Sequence, residues 1–109
     1  MSMRLPAELE VLHQPGRLAL MGLLFQQGDV ASVAARATLG LTPGNLDAHA
    51  KRLEEAGWIA SRRAWLPGGI EVRYQLTEAG RTAFLQYLDW LEAFAAGMRP
   101  PATTGRTQG

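Results

Sequence analysis

The sequence predicts one small domain, mainly α-helical, with a single β-hairpin and a long helix after it. Three observations carry this reading. Stretches of apolar residues at helical spacing are separated by Gly and Pro signals through residue 57. The period then changes to two over Ile70, Val72, Tyr74 and Leu76, which alternate with Glu71, Arg73 and Gln75. Finally Phe84, Tyr87, Leu88, Leu91, Phe94, Ala95 and Met98 fall on one stripe near heptad spacing. With 109 residues, 47% of them hydrophobic, the chain can bury one modest core and is not a wholly disordered chain.

The elements follow in order. Ala7 to His13 reads as a short separate helix. Pro15 and Gly16 open the run Leu18 to Phe25, a helix that stops at Gly28. Apolar residues lie nearly all round it, so it should be buried on more than one side. Asp29 is the expected N-cap of a short second helix to about Thr38, with Val30, Val33, Ala34 and Ala37 at helical spacing. Gly40-Leu41-Thr42-Pro43 marks a turn and a new start. Thr42 is suited to the N-cap and Pro43 to the first helical position, where a missing N–H costs nothing. The third helix runs to Ala56 and stops at Gly57.

A turn of ~100° per residue places Leu46, Ala50 and Leu53 on one stripe of that helix, with Gly44, Asp47, Ala48, Lys51 and Glu55 facing away. Asn45 and Arg52 lie at a border. Trp58 to Leu66 can pair antiparallel with the alternating strand, around a tip at Leu66-Pro67-Gly68-Gly69. Trp58 and Trp65 read as packing residues of this hairpin. Thr77 with Glu78 opens the last helix, to about Gly97. The domain is read as residues 1–98, with residues 99–109 a Pro/Gly/Thr-rich mobile tail.

Composition removes several function classes. Without cysteine, disulfides, thiolate metal sites and cysteine nucleophiles are excluded. His13 and His49 are too few and too far apart for a convincing metal site. No nucleophile–base pair or carboxylate dyad can be assembled, so no catalytic residue, metal or cofactor is expected. No apolar run reaches the ~18 residues of a membrane span, and the start lacks the apolar core of a signal peptide; a cytoplasmic chain is expected. Net charge is +1, unevenly spread: residues 36–73 carry six basic side chains against four acidic. That is a weak pointer to a polyanion.

The order helix, short helix, turn, helix, hairpin, long helix resembles the winged helix-turn-helix domain of bacterial and archaeal transcription regulators. Leu39-Gly40-Leu41-Thr42-Pro43-Gly44-Asn45-Leu46 looks like the turn and start of the recognition helix in the MarR and ArsR groups. His49 through Trp58 looks like its C-terminal end, and Tyr74 through Arg81 like the step from wing to final helix. The likeness spans roughly residues 14–98. It implies a sequence-specific DNA-binding regulator, with repression the commoner outcome.

On that reading the recognition helix, residues 42–56, enters a major groove and the wing, residues 62–73, lies on the backbone or in a minor groove. Thr42, Pro43 and Gly44 meet a phosphate at the helix N-terminus. Asn45 can read an adenine edge and Ala48 a thymine methyl. Lys51, Arg52, Arg62, Arg63 and Arg73 are the expected phosphate contacts. Asp47 stands where these groups often carry a neutral residue, and the wing tip itself has no charge.

The apolar arc of the last helix, widened by Leu85 and Trp90, exceeds what one small domain needs to cover. It points to a homodimer seam through Phe84, Tyr87, Leu88, Leu91, Phe94 and Met98, with coverage by the amino-terminal segment as the alternative. A small-molecule effector would have to bind at that seam. The competing function is a winged helix that binds protein and not DNA, for which the near-neutral charge and Asp47 speak.

Overall fold

The structure, a computed structural model, describes residues 4–100. A short 3-10 helix (Ala7–Leu12) leads into α1 (Pro15–Gln27), β1 (Val30–Ala31), α2 (Ser32–Leu39) and α3 (Pro43–Glu55). The hairpin β2 (Ile59–Leu66) and β3 (Gly69–Leu76) follows, then α4 (Glu78–Met98). The mainly helical class with one hairpin and a long last helix is therefore as the sequence predicts. Of the expected mobile tail, residues 101–109 lie outside the described residues.

Local chemistry explains the helix ends. The Gln14 side chain accepts from the Arg17 amide at 2.8 Å and starts α1 at Pro15. Thr42 Oγ1 accepts from the Asn45 amide at 3.1 Å and starts α3 at Pro43. Thr77 Oγ1 accepts from the Gly80 amide at 2.9 Å and starts α4. Gly40 ends α2 with a left-handed φ of 68°, a conformation that costs a side-chain-bearing residue energy.

The core gathers one face of every element. Leu12, Leu20, Met21, Leu24, Leu46 and Leu53 are its largest fully buried side chains, joined by Trp58, Ile59, Tyr74, Phe84 and Tyr87. Leu46, Ala50 and Leu53 are the buried stripe of α3, as their spacing requires. At Gly80 the start of α4 comes so close to the Trp58 carbonyl that an added Cβ would stand 1.9 Å from its oxygen. The Thr77 amide donates to that same carbonyl at 3.1 Å, and its hydroxyl to the Gly57 carbonyl at 2.7 Å. These bonds fix α4 against the end of α3 and the base of the wing.

The structure corrects three expectations. Asp29 caps no helix: α2 begins three residues later, at Ser32, with Ala31 at its N-cap. Val30-Ala31 instead adds a third strand, pairing antiparallel with Tyr74 and Arg73, so the sheet order is β1-β3-β2. The later start turns a different face of α2 inward; Ala35 is fully buried while Val33, Ala34 and Ala37 are exposed. Trp65 stands outside the core and is 79% exposed, because the hairpin tip extends past the body of the domain.

In α4 the structure shows how far one chain by itself covers the apolar stripe. Tyr87 and Phe84 are buried within this one chain. Tyr87 shares a hydrogen bond of 2.9 Å with His13 Nδ1, and His13 meets Trp90 edge-on with ring centroids 6.2 Å apart. Phe84 packs on Phe25 of α1 at 5.1 Å between centroids. The amino-terminal segment and α1 thus consume the first part of the apolar stripe. Leu88, Leu91 and Phe94 remain half-buried, and Leu85 and Met98 are exposed.

Candidate nucleic-acid interface

The exposed side of α3 is built by its own periodicity. Burying Leu46, Ala50 and Leu53 turns Asn45, Asp47, Ala48, Lys51 and Arg52 to solvent, and Thr42, Pro43 and Gly44 are exposed at its start. In that first turn Pro43 has no N–H, the Asn45 amide is taken by the Thr42 side chain and the Leu46 amide by the Thr42 carbonyl. Gly44 is left as the first-turn donor without an intrahelical acceptor. Arg52 lies 3.7 Å from Glu55 across an exposed turn, an ion pair that water and salt weaken. His49 points the other way, against α1, where an added Cβ on Gly16 would stand 2.4 Å from His49 Nε2. Burial first, then the charge of Arg17, hold its imidazole below the ordinary value.

Strand alternation divides the wing into two faces. Ile59, Ser61, Arg63 and Trp65 share one face with their cross-strand partners Leu76, Tyr74, Val72 and Ile70. This face continues from α3: Ser32, Asp47, Lys51, Glu54, Ser61 and Arg63 line one groove between helix and sheet. Tyr74 closes its floor, and burial, then the carboxylates of Asp47 and Glu54, push its phenol up. Lys51 and Arg63 are the cations of the groove.

Arg62 and Arg73 lie on the opposite face, directly across the ladder from each other. Two like charges in that position repel, and Asp29 stands between them. Its carboxylate accepts from Arg73 Nε at 2.6 Å and from Arg62 Nη2 at 2.9 Å. Arg73 also pairs with Glu71 and donates to the Asp29 carbonyl at 3.1 Å. Arg73, then Arg62, hold the Asp29 carboxyl below its usual range, and Asp29 with Glu71 raises the guanidinium of Arg73. The three wing arginines therefore separate: Arg63 faces the α3 groove, while Arg62 and Arg73 bind Asp29 and tie β1 to the hairpin.

Period-two spacing carried the signal for this split, since the adjacent Arg62 and Arg63 of one strand must point to opposite faces. The role of Asp29 had no such signal, because its partners lie 33 and 44 residues away.

The comparisons with known proteins agree with the fold. The family described as winged helix DNA-binding domain matches residues 17–95. An uncharacterized protein of Methanocaldococcus jannaschii is 28% identical over 80 residues, covering 73% of this chain and 87% of its own length. The transcriptional regulator homologue from Pyrococcus horikoshii OT3 superposes with a TM-score of 0.77 at 27% identity, covering 84% of this chain and 90% of its own. The transcriptional repressor BigR from Xylella fastidiosa shares the fold, with a TM-score of 0.62 at 24% identity and 87% coverage of each chain. The chain belongs to the winged helix DNA-binding domain family.

Proposed function

We propose that this chain is a sequence-specific transcription regulator that represses by binding operator DNA as a homodimer. The carrying observation is the exposed face of α3, whose small and amide-bearing residues Gly44, Asn45 and Ala48 project while Leu46, Ala50 and Leu53 anchor it. Asn45 and Ala48 meet base edges in the major groove. Thr42 and the Gly44 amide hold a phosphate at the helix start, and Lys51, Arg52 and Arg63 hold phosphates on either side. Arg62 and Arg73 support the wing from behind.

The second copy docks on the part of α4 that this chain leaves exposed or half-buried: Leu85, Leu88, Leu91, Phe94 and Met98. A twofold pair would present two α3 helices to major-groove turns ~10 bp apart or a multiple. An apolar effector has its place beside this seam, in the cleft between α1 and α4 lined by Gly22, Phe25, Leu39, Phe84 and Leu88.

Fluorescence anisotropy with duplexes from upstream of its own gene, beside random duplex at two salt concentrations, tests the reading. Lys51, Arg52 and Arg63 on two protomers give about six phosphate contacts, hence a log–log salt slope of roughly −5. Tight binding to one duplex with such a slope, lost in Asn45→Ala, supports it; salt-independent or absent binding overturns it. A protein-binding winged helix is the second reading, favoured by the near-neutral net charge and the carboxylate of Asp47 in the groove.

A further inference from the structure

The distal end of the wing has the opposite character to its base. Beyond Arg63 the ladder closes with the pairs Trp65↔Ile70 and Leu66↔Gly69 around the two-residue turn Pro67-Gly68. Trp65 is 79% exposed and Ile70 49%. Residues 64–70 contain no charged side chain. Trp65 and Ile70 face each other across the ladder, so their exposed side chains form one contiguous apolar patch, the kind of surface that marks a contact site.

Placement identifies what meets it. Trp65 and Ile70 lie on the same face of the hairpin as Arg63, Ser61 and Tyr74, the face that continues into the α3 groove. Four residues of strand carry Trp65 ~13 Å beyond Ser61, far enough for the tip to reach past the groove that α3 would occupy towards the neighbouring minor groove. A two-stranded ribbon fits the ~12 Å major groove of B-DNA and not the ~6 Å minor groove, so what can enter the minor groove is the side chains at the tip and not the ribbon itself. Apolar side chains that enter a minor groove act as wedges between base steps. Arg63, one side-chain step behind on the same face, is the cation to hold the flanking phosphate.

We propose that Trp65 and Ile70 form an apolar wedge that enters the minor groove beside the operator half-site, partly unstacks one base step and bends the duplex. The inference rests on the DNA-binding reading above. It adds a mode of sequence selection: the wing favours steps that unstack easily, such as TA or CA, without hydrogen-bonding to them.

The test is a duplex of about 30 bp from upstream of the gene, labelled at both ends, followed by anisotropy for binding and by end-to-end energy transfer for bending. The wild-type chain is expected to bind and to shorten the end-to-end distance, by a bend in the ~20–90° range of such wedges. Trp65→Ala with Ile70→Ala should still bind, with an unchanged salt slope and an affinity lower by roughly tenfold, and should leave the duplex straight. Replacing a TA step under the wing by AA should weaken the wild type and not the variant. Binding by the wild type without bending, or equal bending by the double variant, overturns the wedge alone. Absence of any salt-dependent DNA binding overturns both the wedge and the reading beneath it, and leaves the tip as a protein contact. Both positions are exposed, so the variants retain the core, which circular dichroism verifies.

Discussion

Gly80→Ala is the sharpest test of how the wing is joined to the last helix. An ideal Cβ at this position would stand 1.9 Å from the Trp58 carbonyl oxygen, 2.7 Å from its carbon and 3.0 Å from its Cα. Ordinary contact requires an outward movement of roughly 1.5 Å. The obstacle is backbone, so no side-chain rotation relieves it. The movement draws Thr77 away from the Trp58 and Gly57 carbonyls, to which it donates at 3.1 and 2.7 Å. Losing these two bonds costs about 1 kcal/mol each, and the overpacking about 1–3 kcal/mol. Alanine returns up to about 1 kcal/mol of helix propensity. The net destabilisation is about 2–4 kcal/mol, a fall in Tm of roughly 10–30 °C for a domain of this size.

Thermal and urea denaturation followed by circular dichroism measure it, with Gly97→Ala as control. Gly97 lies in the same helix with nothing within 4 Å of an added Cβ, so that variant should gain up to about 1 kcal/mol. A Gly80→Ala protein that melts with the wild type would refute the close approach.

Three further outcomes follow from the same geometry. His49 has its imidazole held below 6.5 by burial and by Arg17, so the unfolded chain takes up protons that the folded chain refuses; stability is complete above about pH 6.5 and falls on acidification below it. Denaturation midpoints between pH 7 and 5 should decline in the wild type and flatten in His49→Gln, and an unchanged decline would remove His49 as the cause. Arg63→Ala should reduce the salt slope of DNA binding by about 0.9 per protomer, whereas Arg73→Ala should leave the slope and loosen β1, seen as faster amide exchange at Val30 and Ala31. Equal slopes for the two variants would contradict the two-faced wing. Tyr87→Phe removes the 2.9 Å bond to His13 and should cost about 0.5–1.5 kcal/mol of stability with DNA affinity unchanged; a loss of affinity would mean that the amino-terminal segment also positions α3.

By itself the sequence determined the features that depend on neighbours in the chain. Thr42-Pro43, Thr77-Glu78 and the glycines at 28, 40 and 57 set helix ends through bonds and backbone angles of adjacent residues, so they were legible without coordinates. Periodicity likewise identified the buried stripe of α3, and with it the exposed face proposed to meet DNA. The hairpin itself followed from the alternating strand and its Pro-Gly-Gly tip, whereas its register, from Leu66↔Gly69 to Ile59↔Leu76, came with the structure.

Only the tertiary structure decided where each leftover charge and apolar surface goes. Asp29 has the chemistry of an N-cap, and the contest between that role and an ion pair was settled by two arginines that the fold brings from far along the chain. The α4 stripe reads as one long seam in sequence. In space the segment ending at His13 and the ring of Phe25 cover its first half, because burial depends on which elements return to the helix and not on its spacing. Trp65 shows the converse: a residue type that ordinarily signals packing stands in solvent, since the ribbon that carries it outruns the core. Local interactions are written in short sequence windows, whereas the assignment of a side chain to core, ion pair or surface is a property of the closed chain.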